Sequence, residues 1–164
     1  MYRPVHEKGF TLIELLVTFA VLAIIVTIAV PSFQELVRNN QVATETNTLI
    51  SGLQLARSEA VKRGTEVSFT AGGASFAAGY CVHTGGTGSS CTNSTRIRQF
   101  EAMDSSLSSA VTQVSFDRMG QLVGNAAITV NVTPSGCPSG KVDALRQIRV
   151  GLGGQVTVSR GNCP

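Results

Sequence analysis

The chain has 164 residues, a formal net charge of +3 and a mean hydropathy of +0.19, which is high for a soluble domain of this size. The small positive charge does not by itself indicate a nucleic-acid partner. The four cysteines show no C-x-x-C spacing, which excludes a zinc knuckle and a C-x-x-C redox motif.

The N-terminal region contains a long apolar stretch behind a weakly basic start. Arg3 and Lys8 precede it, and residues 15–34 are twenty consecutive positions without a charge. A helix of that length spans roughly 30 Å, the thickness of a bilayer core. The stretch is too long for a cleaved secretory signal and no A-x-A-like site follows it. It therefore predicts a transmembrane helix.

Glu14 stands at the edge of this apolar segment and needs a counter-charge. A carboxylate inside a membrane costs about 2.5–3.5 kcal/mol on insertion scales, so a plain uncleaved anchor leaves it unexplained. If the chain is cut between Gly9 and Phe10, a new α-amino group lies one helical turn before Glu14. The amine of one copy can then pair with Glu14 of a neighbouring copy. This pairing predicts an assembly of parallel helices.

Residues 8–15, KGFTLIEL, resemble the class III signal of type IV pilins and of type II secretion pseudopilins. The resemblance implies that residues 1–9 are a leader, that a prepilin peptidase cleaves after Gly9, and that the same enzyme methylates the amine of Phe10. It also implies an assembly role for Glu14, in agreement with the charge argument.

One long helix, over about residues 11–63, is predicted to begin in lipid and to end on a globular head. Residues 10–33 form its transmembrane part, with Pro31 expected to kink or loosen it. Residues 34–64 form an amphipathic part with apolar positions at steps of three and four. Gly64 is the expected stop.

After Gly64 the hydrophobic period changes to two, which predicts a β-rich head over residues 65–164. Seven short strands are expected, at residues 66–70, 79–83, 96–100, 111–116, 128–132, 146–150 and 155–159. Few helices intervene, so antiparallel sheets are favoured over a βαβ arrangement. The fold class is α+β, and the resemblance implies a type IV pilin fold.

Three strings in the second part of the chain narrow the resemblance. Residues 53–63 read LQLARSEAVKR, residues 79–82 read GYCV, and residues 114–120 read VSFDRMG with an F-x-x-x-G turn. Together they are similar to the FimT/FimU/GspH group of minor pilins and pseudopilins. The charges of Arg57 and Glu59 are interpreted as those of an ordinary exposed helix end.

The cysteines are expected to form disulfides in an oxidising compartment. Cys81, Cys91, Cys137 and Cys163 allow three connectivities. Short loop closure favours Cys81–Cys91 and, by elimination, Cys137–Cys163.

Catalytic, metal and cofactor sites are not predicted. His6 lies in the leader, which leaves His83 as a lone histidine, expected at the surface beside a glycine-rich loop. Gly85-Gly86-Thr87-Gly88 opens no helix and is interpreted as a flexible hairpin tip rather than a phosphate loop.

The basic C-terminal region is the remaining candidate for binding. Residues 141–164 carry a net charge of +3, including Arg146, Arg149 and Arg160. Some FimT-like pilins bind DNA through a C-terminal G-R-x-R motif, but the matching stretch here, GQVT at residues 154–157, lacks both arginines. We therefore favour a solvated basic face, with these three arginines as the candidate DNA contacts in the alternative.

The resemblance implies a non-catalytic minor pilin that primes or caps a filament. The expected partners are other minor and major pilins, the prepilin peptidase and the inner-membrane assembly platform, with the β-rich head in the periplasm. One alternative is a type II secretion pseudopilin of the GspH type. The other is a DNA-binding minor pilin for natural transformation.

Overall fold

The long helix is the first element of the fold. In a computed structural model, which describes residues 10–164, helix α1 runs from Leu12 to Arg63. The hydroxyl of Thr11 accepts a hydrogen bond from the Glu14 N–H, at 3.3 Å, and so caps the first turn. The helix is continuous through Pro31. The predicted helix is confirmed, whereas the predicted leader and its Gly9 lie outside the described residues.

Eight strands follow the helix. They are β1 (Val67–Ala71), β2 (Tyr80–Thr84), β3 (Arg96–Phe100), β4 (Ser106–Ser109), β5 (Gln113–Phe116), β6 (Ile128–Thr133), β7 (Leu145–Val150) and β8 (Val156–Gly161), with a 3₁₀ turn, Phe76–Ala78, before β2. The first sheet has the order β3-β2-β1-β5 and the second β4-β6-β7-β8. All strand pairs are antiparallel, as predicted.

The seven predicted strands are present, with ends that differ by at most two residues. Strand β4 was not among the predicted strands. Its residues, Ser-Leu-Ser-Ser, include no β-branched or aromatic side chain, so no strand signal marks them. Its pairing with β6 extends the second sheet by one strand.

The described part of the chain divides into two compact units, one that ends at residue 37 and one that spans residues 38–164. The second, here called the globular unit, contains the core. In it, Leu49, Leu53 and Ala56 of α1 pack with alternate strand residues such as Val67 and Phe69. Burial of these side chains from water is the main stabilising contribution to the unit.

Gly52 allows α1 to lie close to the first sheet. A Cβ at this position would lie 2.7 Å from the Phe69 ring and 3.1 Å from the Tyr80 ring. The rings of Phe76, Phe69, Tyr80 and Phe100 form a continuous row, with centroid distances of 5.1, 4.6 and 4.5 Å. Any larger residue at position 52 would push the helix away from this row.

Candidate functional site

The N-terminal part of α1 presents an apolar surface without a covering. Every described residue from Phe10 to Val37 is exposed, including all of the large aliphatic and aromatic side chains. Among the described residues α1 is the one helix that is long and apolar enough to cross a membrane. Exposed apolar surface of this extent requires lipid or other helices around it.

Glu14 lies within this apolar surface. Its carboxylate is exposed and has no ion-pair partner among residues 10–164. Phe10 is outside the helix and 83% exposed. An unpaired carboxylate at the start of an apolar helix can accept a cation from outside the subunit.

Two disulfides tie down loops of the globular unit. Cys81 pairs with Cys91, which confirms the predicted short loop, and the structure also joins Cys137 to Cys163. The Cα atoms of these pairs lie 6.5 and 6.0 Å apart, within the range that a disulfide spans. The second bridge attaches the C-terminal end of the chain to the loop after β6.

The loop closed by Cys81–Cys91 is bound to the sheet rather than free. The N–H of Thr87 donates to the Glu66 carboxylate at 3.1 Å, and the N–H of Gly88 donates to the Gln113 side chain at 2.8 Å. The hydroxyl of Ser68 donates to the carbonyl of Gly85 at 2.7 Å. The loop connects β2 to β3, which pair antiparallel, so it is a hairpin loop as interpreted, and these hydrogen bonds join it to the first sheet.

His83 is buried, so the expectation of a surface histidine was wrong. It lies on β2 on the side of the first sheet opposite α1, next to Ser68 across the strand pair. Its Nε2 is 2.8 Å from the Thr70 hydroxyl and its Nδ1 is 3.1 Å from the Thr84 carbonyl. Both ring nitrogens are thus engaged, as the satisfaction of buried polar groups requires.

Metal binding has no support in the described part of the chain. There, no group of three or more His, Cys, Asp or Glu side chains is arranged to hold an ion.

Arg57 joins the helix to two distant turns, which the sequence analysis did not foresee. Its Nε donates to the carbonyl of Gly120 and its Nη2 to the carbonyl of Gly153, each at 3.0 Å. Gly120 and Gly154 have φ values of 75° and 73°, which favour glycine, and a Cβ on Gly154 would collide with the Gly120 carbonyl. We call these contacts the Arg57 clamp.

Two residues of this clamp lie in two different sequence strings that carry the family resemblance. LQLARSEAVKR supplies Arg57, and VSFDRMG supplies Gly120, 63 residues later. Only the fold brings them together. Glu59, expected to be exposed, has a side chain that is only 13% exposed. Hydrogen bonding from Arg63, 2.6 Å away, lowers the pKa of its carboxyl.

The three candidate DNA-contacting arginines do not share one surface. Arg146 on β7 is directly opposite Arg160 on β8, so these two lie on the same face of the second sheet. Arg149 is opposite Thr157, on the other face. Arg146 also donates to the carbonyl of Asp143 at 2.7 Å. The structure therefore brings two of the three together.

Comparison with known families identifies the chain. The family model for type II transport protein GspH matches residues 45–154, more than half of the sequence. The chain belongs to the GspH family. The model for the prokaryotic N-terminal methylation motif matches residues 5–30, which include Phe10 and Glu14.

Over a shorter stretch, this GspH-family chain is also similar to fimbrial proteins. Two fimbrial proteins of Pseudomonas aeruginosa are each 38% identical over 61 residues, which is 37% of this chain and 39% of each relative. The match thus spans less than half the length of these relatives.

Solved structures show that this GspH-family member has the type IV pilin fold. Two crystal forms of the type IV minor pilin FimU from Pseudomonas aeruginosa match with TM-scores of 0.57 and 0.60. They cover 73% and 77% of this chain, and 91% and 92% of the FimU chains, at 23% and 22% identity. The predicted fold class is confirmed.

Proposed function

We propose that this chain is a non-catalytic minor pilin that primes or caps a filament of pilin-like subunits. The observation that carries the proposal is Glu14, an exposed carboxylate without an ion-pair partner among residues 10–164, on an apolar helix that matches the N-terminal methylation motif. A buried filament core of parallel helices would cover this apolar surface.

Processing creates the counter-charge in this proposal. A prepilin peptidase removes residues 1–9 and methylates the amine of Phe10, which stays cationic. That amine pairs with Glu14 of an adjacent subunit, so two charges that are costly in lipid neutralise each other. The pairing also fixes the axial register of the helices.

The remaining partners follow from the same assembly. Before incorporation, α1 holds the chain in the inner membrane with the globular unit in the periplasm, where the two disulfides form. The assembly platform of the inner membrane and the other minor and major pilins then contact it. The structural similarity to FimU, at 22–23% sequence identity, supports the fold alone. The position of the chain in the filament has to be found by experiment.

The test compares Glu14→Gln with Glu101→Gln, which makes the same change at an exposed carboxylate of the globular unit. Both proteins should be inserted and should begin at methylated Phe10 by mass spectrometry. Only Glu14→Gln should be lost from sheared filaments by immunoblot. A mature protein that begins at Met1, or normal incorporation of Glu14→Gln, would contradict the proposal.

The GspH family match favours a second candidate, a pseudopilin of a type II secretion system. A strain without this protein separates the two roles, because a minor pilin is needed for surface filaments and a pseudopilin for enzyme secretion. We expect loss of filaments with secretion unchanged.

The facing pair Arg146 and Arg160 favours a third candidate, a DNA-binding minor pilin. Two phosphate contacts predict a slope of log affinity against log salt of about −2. A gel shift with the full chain in detergent, at two salt concentrations, tests this. A DNA-binding pilin would show an affinity that falls with salt, that is lost in the Arg146→Gln/Arg160→Gln variant and that is kept in Arg149→Gln. We expect no such affinity.

A further inference from the structure

A shallow groove lies along the outer side of α1 within the globular unit. It has a volume of about 580 Å³ and is lined by Gln54, Arg57, Ser58, Val61, Lys62 and Met119; we call it the α1 groove. Its five helix residues occupy positions i, i+3, i+4, i+7 and i+8, which lie along one face of α1. The turn that carries Met119 forms the other wall.

The apolar part of the α1 groove is exposed although the core next to it is closed. Val61 is 54% and Met119 is 64% exposed, whereas Ala56 and Ala60 on the neighbouring face of α1 are fully buried. The Arg57 clamp holds the turn of Met119 against the helix. The groove is therefore a preformed feature of the fold, because its two walls are joined by a hydrogen bond.

The surroundings of the α1 groove carry an excess of positive charge. Within four residues of Val61 or Met119 the chain has four cations and two carboxylates, a net charge of +2: Arg57, Lys62, Arg63 and Arg118 against Glu59 and Asp117. Both carboxylates are engaged. Glu59 contacts Lys62 and Arg63, and Asp117 accepts hydrogen bonds from the N–H groups of Met119 and Gln121.

Arg57 contributes a charge that nothing in the described chain neutralises. It is partly buried, it is always protonated, and it donates only to carbonyl oxygens among residues 10–164. A partly buried cation beside exposed apolar side chains is complementary to a carboxylate on an apolar surface.

We propose that the α1 groove docks an acidic amphipathic helix of another subunit of the filament, an inference that rests on the proposed function. The apolar face of that helix covers Val61 and Met119, and its carboxylates face Arg57 and Lys62. Ser58 is small enough for a close approach, and the unbranched Met119 adapts to the shape of its partner. This is helix-in-groove recognition.

The charge and the shape disfavour two other occupants. A second copy that docks through the same groove would bring two surfaces of net charge +2 together, which is repulsive. An anionic membrane matches the charge, but a flat surface does not fill a concave space between a helix and a turn. An elongated ridge, such as a helix, does.

The experiment places the photo-reactive residue p-benzoylphenylalanine at Met119 or Gln54 of the full chain in cells that assemble the filament. Val142, which is exposed elsewhere on the globular unit, carries it in the control. Peptide mass spectrometry should identify adducts at Met119 and Gln54 with a carboxylate-bearing helix of another pilin subunit, and none with that helix at Val142. Adducts with lipid or with a second copy of this chain, or no adducts at either position, would overturn the proposal.

The charge is tested separately at Lys62, whose side chain is exposed. With the photo-reactive residue at Met119, Lys62→Glu should lower the adduct yield about fivefold, and Lys62→Arg should leave it within about twofold. An unchanged adduct yield in Lys62→Glu would show that the partner helix is not acidic where it faces Lys62, and would contradict the proposal. If Glu14→Gln blocks incorporation and no adduct forms at Met119, the docking inference fails while the minor-pilin function stands; if Glu14→Gln is incorporated normally, the proposed function fails.

Discussion

Residues 10–37 and the globular unit differ in the solvent exposure of their apolar side chains. In residues 10–37 every described side chain is exposed, whereas in the globular unit most of the large apolar residues of α1 and both sheets are buried in one core. Both are parts of a chain with one continuous helix. The comparison shows that residues 10–37 depend on lipid or partner helices, and the globular unit on its own packing.

The two regions also differ in whether their charged side chains have partners within the described chain. Glu14 has no ion-pair partner among residues 10–164, whereas Arg57, Glu59 and Asp117 of the globular unit are each held by hydrogen bonds. Substitutions in the first region should therefore change assembly, and substitutions in the second should change the free energy of unfolding.

The largest difference between the regions is expected from truncation of large apolar side chains. Phe69→Ala removes a buried ring that contacts Phe76 and Tyr80, and should lower the free energy of unfolding by about 3–5 kcal/mol. Leu22→Ala, at an exposed position of residues 10–37, should change it by less than about 0.5 kcal/mol. Denaturant unfolding of the full chain in detergent micelles, followed by near-UV circular dichroism, measures both. Equal losses would mean that residues 10–37 belong to the same cooperative unit.

The Arg57 clamp should give the next largest effect. Arg57→Met keeps much of the aliphatic side chain but leaves the carbonyls of Gly120 and Gly153 without this donor, and should cost about 2–3 kcal/mol. Arg57→Lys should recover less than half of the loss, because lysine lacks the planar fork that reaches two acceptors.

The matched control for this prediction is Glu59→Gln, two residues away on the same helix. It removes the local ion pairs with Lys62 and Arg63, whose cations are exposed to water, and should cost less than about 1 kcal/mol. Urea unfolding midpoints of the three variants decide the comparison. If Arg57→Met costs no more than Glu59→Gln, the clamp is a surface contact of little energetic value.

The distance along the chain between interacting residues explains how much of the structure could be predicted from the sequence. The helix, seven of the eight strands and the Cys81–Cys91 pair follow from period, turn residues and short loop closure, which are local along the chain. The KGFTLIEL string is local too, and its resemblance to the pilin signal lies within eight consecutive residues.

The errors concern side chains whose environment is set from far away. His83 is buried on the face of the first sheet where Gly85 of the disulfide-closed loop is hydrogen-bonded to Ser68, and this contact leaves no pattern in the sequence around the histidine. Arg57 binds carbonyls 63 and 96 residues away, and backbone carbonyls leave no pattern in a sequence. The same reason hides the α1 groove, since its wall at Met119 comes from a turn far along the chain.

Tyr80 should give the smallest effect, and one of opposite sign. Its ring is fully buried between Phe69 and Phe100, and its hydroxyl has no hydrogen-bond partner among the described residues. Burial raises the pKa of this hydroxyl, so the group stays protonated and neutral. Tyr80→Phe keeps the ring and removes the unsatisfied group, so it should raise the free energy of unfolding by about 1 kcal/mol. Tyr80→Ala, which removes the ring as well, should lower it by about 3–5 kcal/mol. A loss of stability in Tyr80→Phe would show that the hydroxyl has a partner, such as a buried water, in this core.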